Sequence, residues 1–113
     1  METVMEPKFN LWIENNGEVV LSLWRADLLQ AIMTTSSLKE AAEKMKISTK
    51  EAQEKLQEME RGSGIKFVTS TSQNDSNKMN LTSEGEQLLK KFREFSKGFD
   101  AEVTEKFNKS FKE

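Results

Sequence analysis

The chain has no cysteine and no histidine among its 113 residues. Disulfides, thiol nucleophiles, histidine general bases and the usual zinc sites are therefore excluded. No stretch is apolar enough to span a membrane, and the opening METVMEPKFN lacks the basic and apolar regions of a signal peptide, so a cytoplasmic location is expected. Positive charge is not in excess either: 17 Lys and Arg stand against 19 Asp and Glu, a net charge of −2. Because nucleic-acid affinity rests on phosphate neutralisation, strong nonspecific binding is not expected; a local basic patch stays open. What is present is 35% hydrophobic and 32% charged residues, which fits one small domain rich in exposed helix, with a modest core and room for an extension.

The chain is organised around residues 37–59, SLKEAAEKMKISTKEAQEKLQEM. Ser37 has Glu40 three residues on, and Ser48 has Glu51. Both pairs have the form of a capping box, in which the serine oxygen takes a first-turn N–H and the glutamate reaches back to the cap. Leu38, Ala41, Ala42 and Met45 share one face of the first helix, and Ala52, Leu56 and Met59 one face of the second. Met45-Lys46-Ile47 between them is short enough only for a corner, and the small Ala41 and Ala42 let another helix cross closely. This is the pattern of a helix-turn-helix, whose second helix can enter a DNA major groove; an ordinary helical hairpin has the same pattern.

Before it, residues 8–14 read as a strand with Phe9, Leu11 and Ile13 on one face and Trp12 on the other. Asn15-Asn16-Gly17 is a hairpin turn, and Glu18–Ser22 the returning strand. Residues 23–34 read as a helix, with Ser22 as cap and Trp24, Leu28, Ala31 and Ile32 as its apolar stripe. Arg25 falls in the first turn, where a cation opposes the helix dipole. The alternatives are an ion pair, with Asp27 or Glu18 as candidates, and a phosphate contact; arginines are more often paired.

After it, residues 61–64 (RGSG) end the third helix. Residues 65–69 and 78–82 read as the two strands of a wing, joined by the polar STSQNDSN. A last helix, capped by Thr82 or Ser83, extends to about Phe111 with Gly98 as an internal weak point. Its apolar residues Leu88, Phe92, Phe95, Phe99, Val103, Phe107 and Phe111 exceed what a small domain covers, and are expected to form a homodimer interface; the alternative is a helix folded back on its own domain. The expected architecture is mainly α with small β: a winged helix-turn-helix over residues 8–82 with an N-terminal hairpin, and a long C-terminal helix over 83–113.

RADLLQAI, SLKEAAEKMKISTKEAQEKLQEME, GIKFV and LTSEGEQLLKKF, in this order, resemble the N-terminal DNA-binding domain of ModE-type molybdate-responsive regulators and, more distantly, the winged helices of LysR-type regulators. The resemblance covers about residues 15–95. It is carried by Arg25, by Ser37 and Leu38, by Ala41 and Ala42, by Ser48 and Ala52, and by Leu81-Thr82 with Gly85. It implies a DNA-binding transcriptional regulator that uses no cofactor. Three departures stand beside it. Glu51 and Gln53 flank Ala52, where ModE-type helices carry a basic residue and an aromatic. The wing tip SQNDSN holds Asp75 and no arginine. No molybdate-binding domain follows, so no small-molecule effector is implied.

If the second helix of the pair (about 48–61) docks in the major groove, Ser48, Thr49, Lys50, Gln53, Glu54 and Gln57 face it. Ser48, Thr49 and Lys50 suit phosphate or base contacts, Gln53 suits adenine, and Glu54 can accept from a cytosine amine but is repelled by phosphates. Lys66 and Lys78 of the wing, and Ser37, Lys39 and Arg25, complete the expected DNA-contacting set. Glu51, Glu58 and Glu60 add acidity, so modest affinity with steep salt dependence is expected. The competing function is a winged helix turned to protein–protein work. An enzyme is disfavoured: no nucleophile–base arrangement or phosphate loop is present, and Glu58 and Glu60 read as a solvated face.

Overall fold

The computed structural model describes residues 5–70 and 78–112. Strands β1 (Trp12–Asn15) and β2 (Glu18–Ser22) form an antiparallel hairpin. Its two turn residues, Asn16 and Gly17, both have positive φ, 53° and 83°, the tight turn that matches the twist of paired strands. The strand expected from residue 8 begins only at Trp12, and a bulge between Ile13 and Glu14 breaks its alternation. All four β1 residues are exposed; the hairpin is anchored through β2, where Val20 and Leu21 are buried.

Helix α1 (Leu23–Thr35) is capped by Ser22, which accepts from the Arg25 amide at 3.0 Å. Ala26, Leu28, Leu29 and Ile32 are fully buried, so α1 is the central helix of the core. It packs against α2 (Leu38–Met45). Helix α3 (Thr49–Ser63) follows through a corner at Lys46, which has φ 61°. Ala41, Ala42 and Ala52 lose essentially all their exposure; small side chains at these positions let the helices approach closely. Both serine caps form as expected, Ser37 and Ser48 each accepting from the amide three residues on. The glutamate half of the boxes differs. The Ser37 amide donates to Thr35 Oγ1, and Glu51 takes the Ser48 hydroxyl rather than its amide.

The wing consists of β3 (Val68–Ser70) and β4 (Met79–Leu81), antiparallel; β3 begins three residues later than expected and reaches one residue further, and β4 is one residue shorter at each end. Residues 71–77 lie outside the described residues, and with them the expected wing tip and Asp75. Residues 36–37 extend the sheet: the Met79 amide donates to the Ser36 carbonyl, and Ser37 bridges Lys78. Helix α4 (Ser83–Ser96) is capped by Thr82 and joined to α1 by Arg93–Asp27 at 2.9 Å.

The C-terminal helical stretch reaches Phe111 as expected, in two segments. Gly98, at φ 89°, separates α4 from α5 (Phe99–Phe111). No α5 residue is buried, so nothing compensates the glycine's low helix propensity by packing. The Cα radius of gyration is 16.9 Å, against about 13 Å for a compact chain of this length; α4 packs on α1, whereas α5 buries no residue on the domain. The architecture is a winged helix-turn-helix with an N-terminal hairpin, mainly helical.

Candidate nucleic-acid interface

Helix α3 buries Ala52, Leu56 and Met59. At about 100° per residue, Lys50, Glu54, Gln57 and Arg61 then lie on the opposite side, with Gln53 on its flank. All five are exposed. Helix α3 also carries four carboxylates, and three of them are engaged within the domain. Glu51 takes the Ser48 hydroxyl. Glu58 is 2.9 Å from Arg25 Nη2 and 3.7 Å from Lys55 Nζ. Glu60 accepts from the backbone amides of Phe67 at 2.9 Å and Val68 at 3.4 Å, which ties the end of α3 to the start of the wing. The expectation that Glu58 and Glu60 form a solvated face is therefore corrected. Glu58 fixes α3 to Arg25 of α1 and Glu60 fixes it to the start of the wing, while Glu54 stands on the outer face.

A groove of about 280 Å³ runs between α3 and the wing, lined by Gln53, Gln57, Lys66, Thr69 and Ser70 among others. It brings together three residues expected at the interface (Gln53, Gln57 and Lys66) that are separated by up to 13 positions in the chain. Ser48 and Thr49 sit at the N-terminus of α3, Ser48 exposed and Thr49 half-buried. On the other side of the wing, the Ser37–Lys78 bridge sets Lys78 beside the α2 N-terminus, where Lys39 is exposed. Helix N-termini present amide hydrogens and partial positive charge; Ser37, Lys39 and Lys78 stand at this one, with the exposed Glu40 in the same turn.

Arg25 does not belong to either surface. Its side chain is 12% exposed, and it donates to the Val19 carbonyl at 2.6 Å as well as to Glu58. The ion-pair alternative is the correct one, but the partner is Glu58, 33 residues away. Asp27 pairs with Arg93 instead. Arg61 is the residue sequence reasoning missed. The sequence places it in the helix stop, yet α3 continues to Ser63. Arg61 is exposed and has no ion pair with a described residue. Its spacing from Lys50, Glu54 and Gln57 (four, three and four) was the available signal.

The arrangement can be set against known folds. This chain is similar in fold to the DNA-binding domains of LysR-type regulators. A structure of Vibrio fischeri DarR in complex with DNA matches over 77% of this chain with a TM-score of 0.61 and 16% identity. The matched region is 28% of the DarR chain. The BenM DNA-binding domain, solved with benA site 1 DNA, matches over 76% of this chain and 92% of its own, with a TM-score of 0.61 and 19% identity. No protein-family model and no curated protein matches the sequence.

Within this winged helix, the residues expected to dimerise divide into two groups. Phe92 is 2% exposed and Leu88 packs against the core, so both belong to the domain itself. Phe95 and Phe111 are 52% and 66% exposed. Phe99, Val103 and Phe107 are half-buried. Phe95 meets Phe99 edge-on and Phe107 stacks on Phe111, and residues 5–8 lie beside Phe107 across a shallow cleft.

Proposed function

We propose that this chain is a DNA-binding transcriptional regulator of the winged-helix type. Helix α3 enters the major groove, and the wing, about residues 65–82, lies along the backbone. The observation that carries the reading is the commitment of Glu51, Glu58 and Glu60 to contacts within the domain. It leaves Lys50, Gln53, Gln57 and Arg61 exposed on α3 and Lys66 across the groove, with Glu54 the carboxylate of this helix that has no partner among the described residues. The DarR and BenM structures are both DNA complexes, which supports the same use here. The ordered motifs from Arg25 to Gly85 favour the ModE-type form of the domain, and the reading places it in the cytoplasm. The exposed phenylalanines of α4 and α5 support a homodimer, whose two winged helices would meet two half-sites.

Thr49 and Lys50, with Ser48 at the cap, serve as phosphate or base contacts. Gln53 and Gln57 serve as base readers. Lys66, Arg61, Ser37, Lys39 and Lys78 serve as backbone contacts. A protein-binding winged helix is the second reading, favoured by the exposed Trp12 and Ile13 on β1. The deciding experiment is retention of mixed genomic DNA fragments at low and moderate salt, with the oligomeric state measured in the same buffer. Selective retention by a dimer is expected. No retention at low salt by an intact dimer would overturn the DNA reading in favour of the protein-binding one.

A further inference from the structure

Glu54 occupies the crest of α3, roughly opposite the buried Ala52, Leu56 and Met59. It is exposed, and it makes no ion pair or side-chain hydrogen bond with a described residue, unlike the other carboxylates of this helix. Lys50 lies one turn before it on the same face and Arg61 about two turns after it. A bare carboxylate here lowers attraction to every phosphate. It is an obstacle to nonspecific binding that the fold has not neutralised.

We propose that Glu54 is a specificity-determining residue that selects a cytosine in the major groove. The inference rests on the DNA-binding reading and adds which base the helix requires. The major-groove edges of guanine and thymine offer only acceptors to a side chain, and these repel a carboxylate. Cytosine offers its N4 amine, the natural donor to Glu or Asp; adenine's amine sits beside the N7 acceptor, an arrangement that suits the amides of Gln53 and Gln57 instead. At a wrong base the carboxylate would be desolvated with no donor, which is penalised more than a lost hydrogen bond. Lys50 and Arg61 supply the phosphate contacts that hold register, and Glu54 rejects sequences without a C·G pair beneath it. Discrimination by penalty of this kind sacrifices affinity for selectivity.

The test is selection from a random duplex library with the full wild-type chain, followed by titration of wild-type, Glu54→Ala and Glu54→Gln against the selected duplex, its C·G→T·A variant and a shuffled duplex. Far-UV circular dichroism establishes that all three chains are folded. A fixed C·G pair is expected in each half-site, and changing it should weaken wild-type binding roughly tenfold or more. Glu54→Ala should bind the shuffled duplex several-fold tighter and lose the C·G preference. Glu54→Gln should move the preference toward A·T. If the selected duplexes share no fixed C·G pair, or if Glu54→Ala tightens selected and shuffled duplexes by the same factor with the preference intact, the inference is overturned while DNA binding stands. If the wild-type chain retains no duplex, the DNA-binding reading fails and the inference fails with it.

Discussion

Gly85 in the first turn of α4 lies against the backbone carbonyl of Phe67, so closely that a Cβ on Gly85 would overlap the Phe67 oxygen. Thr82 holds the two segments at this separation. Its amide donates to Phe67 O at 2.9 Å, its hydroxyl donates to Lys66 O at 2.5 Å, and the same oxygen accepts from the Gly85 amide at 2.9 Å. The Leu-Thr-x-x-Gly run is therefore a steric and capping device that sets α4 on the wing. The obstructing atoms are backbone, which a rotamer change cannot clear.

Gly85→Ala is expected to destabilise the domain by about 2–3 kcal/mol, the upper range for overpacking a well-filled site. Urea denaturation followed by tryptophan fluorescence measures it. A loss within about 0.5 kcal/mol, the scatter of ordinary surface substitutions, would mean that α4 slides on the wing at little cost.

Glu60 provides a second connection to the same segment. Phe67 is fully buried, and its amide has Glu60 Oε2 as acceptor. Glu60→Ala removes that acceptor and is expected to cost about 1–3 kcal/mol, the penalty of a buried donor left without a partner. Glu60→Gln keeps an amide oxygen at the same reach and should lose less. Hydrogen exchange at the Phe67 and Val68 amides should accelerate in Glu60→Ala beyond the change expected from global stability alone.

Local signals in the chain anticipate local structure well. Ser22, Ser37, Ser48 and Thr82 all cap the helices that their positions imply, because a cap is decided within three residues. The Asn16-Gly17 turn forms for the same reason. What was not legible depends on which elements meet. The partner of Arg25 is set by how α3 crosses the hairpin and α1, and nothing near Arg25 in sequence reveals Glu58. Glu60 reads as a surface acid until β3 is placed beside it. Periodicity groups Phe92 with Phe99 and Phe107, yet Phe92 falls inside the domain and Phe99 and Phe107 beyond it. For the interface, the face of α3 was legible from the helical period. Its effective charge was not, since the charge depends on which carboxylates are already in use.

The Arg25–Glu58 pair gives a third prediction. Arg25→Ala leaves the Val19 carbonyl without its donor and Glu58 with only the longer Lys55 contact, and charged hydrogen bonds of this kind are worth about 1.5–3 kcal/mol. A loss in that range is expected. Arg25→Lys should recover only part of it, since an ammonium lacks the fork that reaches both acceptors. A double-mutant cycle with Glu58→Ala should give a coupling of about 0.5–3 kcal/mol. DNA binding by the folded fraction of Arg25→Lys should have the wild-type salt dependence, because Arg25 is occupied inside the domain.

The surface cations should behave oppositely. Lys50→Ala, Arg61→Ala and Lys66→Ala remove exposed charge without disturbing the core, so thermal midpoints should barely move. For each that contacts a phosphate, the slope of log K against log salt should fall in magnitude by about 1. Arg61 is the sharpest of these, since it became a candidate only once α3 was seen to continue past it. An unchanged slope in Arg61→Ala would place the end of α3 away from the backbone.

The last prediction concerns α5. Phe107 and Phe111 stack with ring centroids 4.8 Å apart on a helix with no buried residue. An isolated helix of its length is marginal in water, so association with a second copy would stabilise it as well as cover its apolar stripe. Phe107→Ser with Phe111→Ser should leave the unfolding midpoint of the winged helix nearly unchanged, since neither ring enters its core. It should shift the sedimentation behaviour from dimer to monomer. Binding to a two-half-site duplex should then weaken by about 100-fold or more, the avidity lost when two linked modules separate, while binding to a single half-site should not change. A wild-type chain that sediments as a monomer would give the stripe a different occupant, residues 5–8 of the same chain, already beside Phe107. Deleting those residues should then lower α5 helicity, whereas in a dimer held by α5 it should not.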